Sequence, residues 1–483
     1  MDQSRTPYAD AVRVYAAKDY LRLGTPGHQV SAESHPKLVD FFGIDALRHD
    51  VQTLIDGIDI GAYPTALNES EQLAALAWGA KRTWFLTNGA SMGNMMACLA
   101  LRAIGEHIVL QRSVHSSVID GLAFSGLSAD FVFPSVDKHL GIANGITPEE
   151  LDKVLAANPS ACAAYVITPS YFGAVADVAG LAKVAHARGI PLVVDEAWGA
   201  HFGFHPGLPT NANRLGADLV ISSTHKLSGS LSQSAMLHLS DGPFASLLEP
   251  LIERAFRSLQ STSVNSLLLA SLDIARSTMA TQGHSLIGET IDAVSRISSG
   301  IKTADRFTDM AVDILTHPDV IAVDPVRISI NTHVGGISGY EAKSILYKKD
   351  KIHCELATGS ALLLLVGAGV IPDTERILAA LHELPYSPAD LPTAFDLPTP
   401  GQTTMTVRNA YFAKTEIVPA SQAAGRTSAD SVAAYPPGIP NLLPGELITQ
   451  ETIDFLQATA HAPYGHLRGG SSEDLSTLRV VVE

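Results

Sequence analysis

The sequence predicts an α/β fold whose main domain is a mostly parallel β-sheet covered by helices. From about Arg82 to His238, short apolar runs alternate with stretches of helical periodicity, which is the pattern of repeated strand–helix–strand units. Candidate helices span Met92 to Ala103, Pro148 to Ala156 and Asp177 to Ala187, and a proline suits the first helical turn. The seven apolar runs predicted as strands are RTWFL, HIVLQ, ADFVFP, CAAYVIT, IPLVVD, ADLVIS and SAMLHL.

The length of the chain predicts more than one domain, because 483 residues exceed what a single hydrophobic core holds. The first 60 or so residues carry helical periodicity broken at Gly24-Thr25-Pro26-Gly27, which predicts an arm packed on the main domain or on a second subunit. Past Ser277 the pattern changes to long helices and a few short strands, and a proline-rich stretch from Pro385 to Gly401 is typical of a connection. We therefore predict an N-terminal arm (1–60), a large domain (61–285), a small α+β domain (286–390) and a C-terminal subdomain (391–483).

Composition excludes several classes of protein. The formal net charge of -16 argues against a nucleic-acid-binding surface, and no segment approaches the roughly 20 apolar residues of a membrane helix. The N-terminus lacks the pattern of a secretory signal, so a cytoplasmic location is expected. Three well-separated cysteines, Cys98, Cys162 and Cys354, exclude a CxxC zinc pattern and disfavour a disulfide framework. No metal site is expected.

Lys226 is the strongest local signal of chemistry. It lies in Ser222-Ser223-Thr224-His225-Lys226-Leu227, directly after the apolar run ADLVIS. A lysine at the end of a buried strand is costly unless it is neutralised, paired or covalently used. A Schiff base with a cofactor removes that cost, although the fragment alone is more typical of a snorkelling lysine.

Asp195 ends another apolar strand, in Pro191-Leu192-Val193-Val194-Asp195-Glu196-Ala197. A carboxylate at this position can pair with a protonated pyridine nitrogen, which makes such a ring an electron sink. Taken singly, the same aspartate is equally suited to cap a helix or to bind a metal.

A candidate anion site follows the run RTWFL, in Thr87-Asn88-Gly89-Ala90-Ser91-Met92-Gly93-Asn94. Free N–H groups and the helix dipole at such a turn favour a phosphate, and Ser91 adds a hydroxyl donor. The turn lacks the GxGxxG and GxxxxGK[ST] patterns of nucleotide sites, and many strand-to-helix turns look like it.

His115 stands just after the run HIVLQ, where its flat imidazole could stack on a pyridine ring. An isolated histidine here is more often a surface or helix-terminal residue. Its order relative to the other three elements favours the stacking role.

All four elements follow strands whose C-terminal ends form the crevice where open α/β sheets bind ligands. Together they predict a pyridoxal 5'-phosphate (PLP) site.

The sequence also resembles the ornithine/lysine/arginine decarboxylase family, a PLP-dependent branch of the aspartate-aminotransferase fold, which is PLP fold type I. The resemblance spans nearly the whole chain and corresponds to a short form without the N-terminal wing domain of larger members. The blocks that carry it are Thr25-Pro26-Gly27-His28, Asn88-Gly89-Ala90-Ser91, Asp195 to Phe202, Ser223 to Leu227 with Ser232 to Ala235, and Tyr435-Pro436-Pro437-Gly438-Ile439-Pro440 followed by Pro444-Gly445-Glu446.

The resemblance implies a role for each matching residue. Lys226 would carry PLP, Asp195 would pair with the pyridine nitrogen, and His115 and Ala197 would lie against opposite faces of the ring. A homodimer or a higher oligomer of dimers is also implied. Ser91, Ser223 and His225 would hold the phosphate of PLP. The other residues implied to contact the cofactor are Gly89, Ala90 and Asn94.

The implied reaction is decarboxylation of arginine, lysine or ornithine, with Lys226 or His225 returning a proton to Cα. The distal cation of such a substrate needs an acidic partner, for which Glu355 and Glu446 are candidates, although either also suits a surface or helix-capping role. Trp198 and His201 are the other candidate substrate residues.

Several positions depart from the family pattern and leave other reactions open. Ala90 stands where a threonine is usual, Trp198 where the small enzymes often have histidine, and Val264-Asn265 where the family tends to continue Pro-Ser. Transamination, racemisation and an aldolase-type cleavage are therefore alternatives, and an aminotransferase would clamp the substrate carboxylate with an arginine. A non-catalytic scaffold is disfavoured because Lys226 and Asp195 are both present. The candidate clamps are Arg408, Arg426 and Arg468.

Overall fold

The computed structural model describes residues 1–388, 397–435, 439–462 and 465–482. The predicted domain boundary at 390/391 and Pro436-Pro437-Gly438 lie outside these residues. The helices of the described residues are α1 (Pro7–Ala16), α2 (Pro36–Phe42), α3 (Ile44–His49), α4 (Ala66–Trp78), α5 (Gly89–Leu101), α6 (Ser116–Ser125), α7 (Pro148–Ala157), α8 (Val178–Ala187), α9 (Thr224–Leu227), α10 (Ala245–Leu259), α11 (Ser266–Ala304), α12 (Ala311–Ile314), α13 (Gly339–Lys348), α14 (Thr374–His382), α15 (Val407–Phe412) and α16 (Gln450–His461).

The strands fall into one large sheet and several small ones. The strands of the described residues are β1 (Arg82–Leu86), β2 (His107–Gln111), β3 (Ser128–Val132), β4 (Val136–Asp137), β5 (Ile142–Ala143), β6 (Ala164–Ile167), β7 (Ala174–Val175), β8 (Leu192–Asp195), β9 (Leu219–Ser222), β10 (Ala235–Leu239), β11 (Thr308–Asp309), β12 (Ala322–Val323), β13 (Arg327–Asn331), β14 (Leu356–Ala357), β15 (Ala361–Leu365), β16 (Thr415–Pro419), β17 (Val432–Tyr435), β18 (Pro440–Leu442), β19 (His466–Arg468) and β20 (Thr477–Val481).

The seven predicted strands form the large sheet, in the order β1-β10-β9-β8-β6-β2-β3. Strand β10 runs antiparallel to both of its neighbours, and the other neighbouring pairs are parallel. The predicted mostly parallel, seven-stranded sheet is therefore confirmed. Helices cover both faces of such a sheet, which explains why its strands read as continuous apolar runs rather than as alternating patterns.

The predicted helices form close to their expected bounds because the sequence supplies their caps. Helix α7 begins at Pro148, and Thr147 caps it with a reciprocal pair of hydrogen bonds to Glu150. The Asp177 side chain accepts a hydrogen bond from Gly180 N at the start of α8. Helix α5 begins at Gly89, earlier than the predicted Met92, so the anion turn itself belongs to the first helical turn.

Two apolar layers hold the sheet between its helices. One layer packs β1, β2, β6, β9 and β10 against α5, α6 and α10, and the other packs β2, β6, β8 and β9 against α7 and α8. Fully burying one aliphatic side chain contributes roughly 1.5–3 kcal/mol, so these layers fix the ends of the strands firmly.

Helix α1 packs against the long helix α11 of the same chain. The Asp273 carboxylate of α11 accepts hydrogen bonds from Tyr8 N (3.0 Å) and Ala9 N (3.3 Å) in the first turn of α1, where the helix dipole favours an anion. Arg276 pairs with Asp273 and also donates to the Gln3 carbonyl at 2.6 Å. The start of the predicted arm is thus anchored by a buried ion pair.

The chain beyond α11 forms smaller α+β units. Strands β11-β13-β15-β14 make an antiparallel sheet that packs on α11, α13 and α14. Further on, β16 pairs with β20, β17 lies between β18 and β19, and α16 packs beside them. The four predicted domain ranges stay a prediction. None of the helices in the described part of the chain is long and apolar enough to cross a membrane.

Candidate active site

A cavity of about 270 Å³ opens beyond the C-terminal ends of the central strands. It brings together the turn after β1, the residue that caps α6, the end of β8 and helix α9. All four elements selected from the sequence therefore meet in one place. The residues that line the cavity are Asn88, Gly89, Ala90, Ser91, Asn94, His115, Ile167, Tyr171, Asp195, Ala197, Trp198, Ser223, His225, Lys226 and Gln233.

Lys226 reaches the cavity from the short helix α9, which follows β9. Its Nζ lies 3.8 Å from the centroid of the Trp198 ring. Burial lowers the pKa of Lys226 to about 8, the charge of Asp195 opposes that effect, and Arg327 adds to it. A lysine with a depressed pKa supplies more of the neutral amine near neutral pH, which is the form that attacks a carbonyl carbon.

Asp195 is held in a defined orientation at the end of β8. It is almost fully buried and accepts hydrogen bonds from Asn94 Nδ2 at 2.8 Å and from Ala197 N at 3.0 Å. Asn94 is fixed in turn, because it accepts a hydrogen bond from Tyr165 Oη (2.9 Å) and donates one to Ser117 Oγ (3.0 Å). The structure therefore gives Asn94 a direct contact with Asp195.

His115 forms the N-cap of α6 and presents its ring to the cavity. Its Nδ1 accepts a hydrogen bond from Ser117 N at 3.2 Å and lies 2.8 Å from Ser117 Oγ. Burial lowers the pKa of His115, Asp195 opposes that effect, and Lys226 and Arg468 add to it. A neutral, flat imidazole is the form suited to stacking on an aromatic ring.

The turn between β1 and α5 has the features of an anion site. Gly89 has a φ of +83°, which favours glycine. A Cβ atom at Gly89 would stand 3.3 Å from the Gln233 carbonyl oxygen. Asn88 gives the 13-residue helix no side-chain cap, so the first N–H groups of α5 can serve a ligand.

Hydroxyl and imidazole groups surround this turn. Ser91, Ser223 and His225 line the same cavity, and burial together with the Lys226 charge lowers the pKa of His225. The site thus combines hydrogen-bond donors, a helix N-terminus and a nearby lysine, which is the chemistry that binds a phosphate.

Of the four candidate substrate residues, the structure places Trp198 in the wall of the cavity. His201 is buried outside the lining, with its Nε2 at 3.1 Å from Asp324 Oδ1. Glu446 also lies away from the cavity, where it pairs with Arg112 at 3.1 Å and accepts a hydrogen bond from Leu443 N. Glu355 is exposed and outside the lining, yet its charge raises the pKa of Lys226.

Arg327, a buried residue at the start of β13, was not predicted from the sequence. Its guanidinium donates to Asp324 (2.9 Å) and to the carbonyls of Ser170 (2.5 Å), Tyr171 (2.6 Å) and Trp198 (2.8 Å). It braces the cavity wall from the start of strand β13. No local motif indicates this role of Arg327. Apart from Asp324, the groups that Arg327 binds are backbone carbonyls far away in the sequence.

Comparison with known proteins settles the family. The family described as Orn/Lys/Arg decarboxylase, major domain, matches residues 6–371, and its C-terminal domain matches residues 396–464. The chain belongs to the Orn/Lys/Arg decarboxylase family. The resemblance predicted from the motifs is thereby confirmed.

A relative of high coverage agrees with this assignment to the Orn/Lys/Arg decarboxylases, and two solved structures share the fold. An arginine decarboxylase of Halalkalibacterium halodurans is 35% identical over 494 residues, covering 100% of this chain and 98% of the relative. The lysine decarboxylase LdcF of Francisella novicida has a TM-score of 0.83 at 18% identity and covers 99% of this chain and 81% of its own. A structure of SPT with PLP has a TM-score of 0.53 at 16% identity, over 79% of this chain and 84% of that one. The two structural likenesses identify the fold as PLP fold type I.

Proposed function

We propose that this chain is a PLP-dependent carboxy-lyase that converts arginine, lysine or ornithine to the corresponding amine and CO2. The observation that carries the proposal is the meeting of Lys226, Asp195, His115 and the anion turn in one cavity of a chain that aligns over its whole given length with an arginine decarboxylase of the same family. The named relative favours arginine as the first substrate to test.

PLP fits the groups that surround the cavity. Lys226 supplies a buried amine, and Asp195 supplies a carboxylate fixed by Asn94 for a pyridine nitrogen. The uncapped start of α5, with Ser91 among its donors, suits the phosphate. The small side chain of Ala197 would contact one face of the pyridine ring, and the flat imidazole of His115 would contact the other.

When bound, PLP would supply an electron sink for the pair of electrons left at Cα as CO2 departs. Asp195 would hold the proton on the pyridine nitrogen, because a buried carboxylate stabilises a neighbouring cation. Lys226 would return a proton to Cα after the carboxylate has left. The residues that line the cavity would orient the substrate, and that orientation would determine which bond to Cα breaks.

The arginines of the chain favour decarboxylation over transamination. Within the described residues, no arginine lines the cavity. Arg327 approaches it, but four of its N–H donors already bind protein oxygens, so it is not available to clamp a substrate carboxylate. Of the arginines considered from the sequence, Arg408 binds the carbonyls of Ala123 and Phe124, and Arg426 binds Glu416. The charge of Arg468 acts on His115 from outside the cavity lining.

Glu355 is the acidic residue that the structure best supports as partner for the distal cation of the substrate. Its carboxylate is exposed, its charge reaches Lys226, and Lys343 Nζ binds its carbonyl oxygen rather than its carboxylate. Glu446, by contrast, already neutralises Arg112.

We also propose a homodimer, or a higher oligomer of dimers, as the active species. The N-terminal 60 or so residues expose several large apolar side chains, which in a monomer would face water. Sedimentation of active enzyme at dilute concentration tests this, because a fully active monomer near 51.0 kDa would contradict it. A cytoplasmic location stays a prediction. The exposed apolar residues of this segment are Tyr20, Leu21, Leu23, Phe41, Phe42, Leu54, Ile60 and Tyr63.

The test of the proposed function is to incubate PLP-loaded protein separately with arginine, lysine and ornithine, and to measure CO2 and the amine. Equal amounts of CO2 and amine from one of the three are expected. Formation of a keto acid, of the D-amino acid or of an aldehyde without CO2 would identify one of the alternative reactions instead.

A further inference from the structure

The amine of Lys226 lies over the face of the Trp198 ring. Lys226 Nζ lies 3.8 Å from the centroid of the indole ring, and Trp198 is only 6% exposed. Among the described residues, no hydrogen bond or ion pair is found at this Nζ. The aromatic face is therefore the immediate partner of the amine.

The Trp198 ring is held in place by Arg327, at the start of strand β13. Arg327 donates to the Trp198 carbonyl at 2.8 Å and lies 5.3 Å from the centroid of the same ring. Asp324 fixes Arg327 through a 2.9 Å ion pair, and both side chains are fully buried. The ring also lies 5.7 Å from the Tyr171 ring, centroid to centroid. A residue braced on several sides cannot turn away when Lys226 moves.

A cation over an aromatic face is stabilised by the quadrupole of the ring, most strongly for tryptophan and in a desolvated site. Three groups near Lys226 act on its charge in other ways: Asp195 and Glu355 favour the ammonium form, whereas Arg327 opposes it. His115 and His225 share the cavity as well. The indole differs from these groups because it carries no charge of its own. It stabilises the ammonium by direct contact, at 3.8 Å from Nζ to the ring centroid.

We propose that Trp198 is a positioning residue whose indole face holds the ammonium form of Lys226 during turnover, so that the proton for Cα comes from a fixed direction. The inference rests on the proposed function. In the step it serves, the Cα–carboxylate bond breaks and CO2 leaves without the bonding electrons. An N–H bond of Lys226 then breaks as the Cα–H bond forms, and Lys226 becomes a neutral amine.

The first test compares Trp198→Phe with Trp198→Leu in the full-length protein freed of PLP. Both variants shorten the side chain, but only phenylalanine keeps an aromatic face. The pH dependence of acetic anhydride labelling at Lys226, read by peptide mass spectrometry, gives the midpoint at which the amine loses its proton. We expect the midpoint in the leucine variant to lie about one pH unit below that in the phenylalanine variant. Equal midpoints, or a higher one with leucine, would overturn the proposal.

A second measurement keeps the shape of the side chain and does not depend on how well the leucine variant folds. Fluorinated tryptophans weaken the electrostatic attraction of the ring for a cation, and the chain has three tryptophans. The other two lie elsewhere: Trp78 stacks on His238, and Trp84 contacts Arg82. Each added fluorine should lower the Lys226 midpoint further, whereas an unchanged midpoint across the series would contradict the contact.

Turnover by the PLP-loaded variants separates this inference from the proposed function. We expect Trp198→Leu to lower kcat about tenfold with little change in KM, and Trp198→Phe to recover most of that loss, because the proton transfer and not the binding is impaired. If wild-type protein releases no CO2 from any basic amino acid, the proposed function fails. The labelling midpoints would still decide whether Trp198 holds the Lys226 ammonium.

Discussion

Asn94 donates a hydrogen bond of 2.8 Å to Asp195, a residue 101 positions further along the chain. The same amide group donates to Ser117 Oγ, which lies 2.8 Å from His115 Nδ1. One asparagine thus links the carboxylate proposed for the pyridine nitrogen to the imidazole proposed for the ring face. These groups are buried or nearly so, and a shift of the Asp195 carboxylate would therefore also displace the His115 imidazole.

Asn94→Ala should loosen this link. The substitution leaves Asp195 without a side-chain donor and leaves the buried Tyr165 hydroxyl without its acceptor, which costs about 1–3 kcal/mol of stability. We also expect PLP to bind roughly tenfold more weakly, on the scale at which supporting hydrogen bonds affect a bound group. Titration of the PLP absorbance and a denaturant curve measure both effects. Asn158→Ala is the control, since Asn158 merely caps a carbonyl of its own helix, and its PLP affinity should stay normal.

Asp195→Asn should bind PLP and lose at least 99% of its turnover, because a neutral amide does not stabilise a protonated pyridine nitrogen. The matched control is Asp218→Asn, because Asp218 is another buried aspartate, lies directly before β9 at the opposite end of the strands and pairs with His186. That variant should lose stability but keep its kcat. Near-normal turnover of Asp195→Asn would mean that this aspartate has been given the wrong role.

The sequence predicted the large sheet well because its strands are buried on both faces and stand out as apolar runs. It also predicted where the cavity lies, since strand ends of a parallel sheet share one edge. The antiparallel direction of β10 was not predictable, because strand direction depends on the tertiary path of the chain. Arg327 was not predicted, because its ion pair with Asp324 depends on side-chain packing that no local motif records. The ion pair between Glu446 and Arg112 was not predictable for the same reason, and a substrate role for Glu446 stays a prediction.

Glu446 and Glu355 should respond to substitution in opposite ways. Glu446→Gln removes one partner of a buried ion pair with Arg112, which typically costs 3–5 kcal/mol in the free energy of unfolding, and it should change KM little. Glu355→Gln should raise KM for the preferred amino acid about tenfold, as expected for one lost charge-assisted hydrogen bond of about 1.5 kcal/mol, with little loss of stability. Steady-state kinetics and denaturant unfolding separate the two. A large increase in KM for Glu446→Gln, without one for Glu355→Gln, would instead support Glu446 as the substrate residue.

The depressed pKa of Lys226 predicts a pH-dependent stability of the PLP-free protein. Burial lowers that pKa from 10.5 to about 8, so the unfolded chain binds the proton more tightly than the folded chain does. Below about pH 8 the amine is protonated in both states, and the folded protein then carries the full free-energy cost of burying the ammonium. Lys226→Met should therefore stabilise the PLP-free protein at pH 7, by up to about 3 kcal/mol. The gain should shrink as pH rises from 8 towards 10.5. Lys183→Met, at an exposed position of α8, should show no such trend, and a pH-independent gain for Lys226→Met would contradict the assignment.

The most direct test of the account is to identify the lysine that carries PLP. The loaded protein is reduced with borohydride, digested, and its peptides are mapped for the fixed pyridoxyl group. We expect one label, on Lys226 in the peptide that contains Ser223-Thr224-His225-Lys226-Leu227. A Lys226→Ala variant should carry no label and release no CO2. A label on any other lysine, or normal turnover of Lys226→Ala, would contradict this expectation.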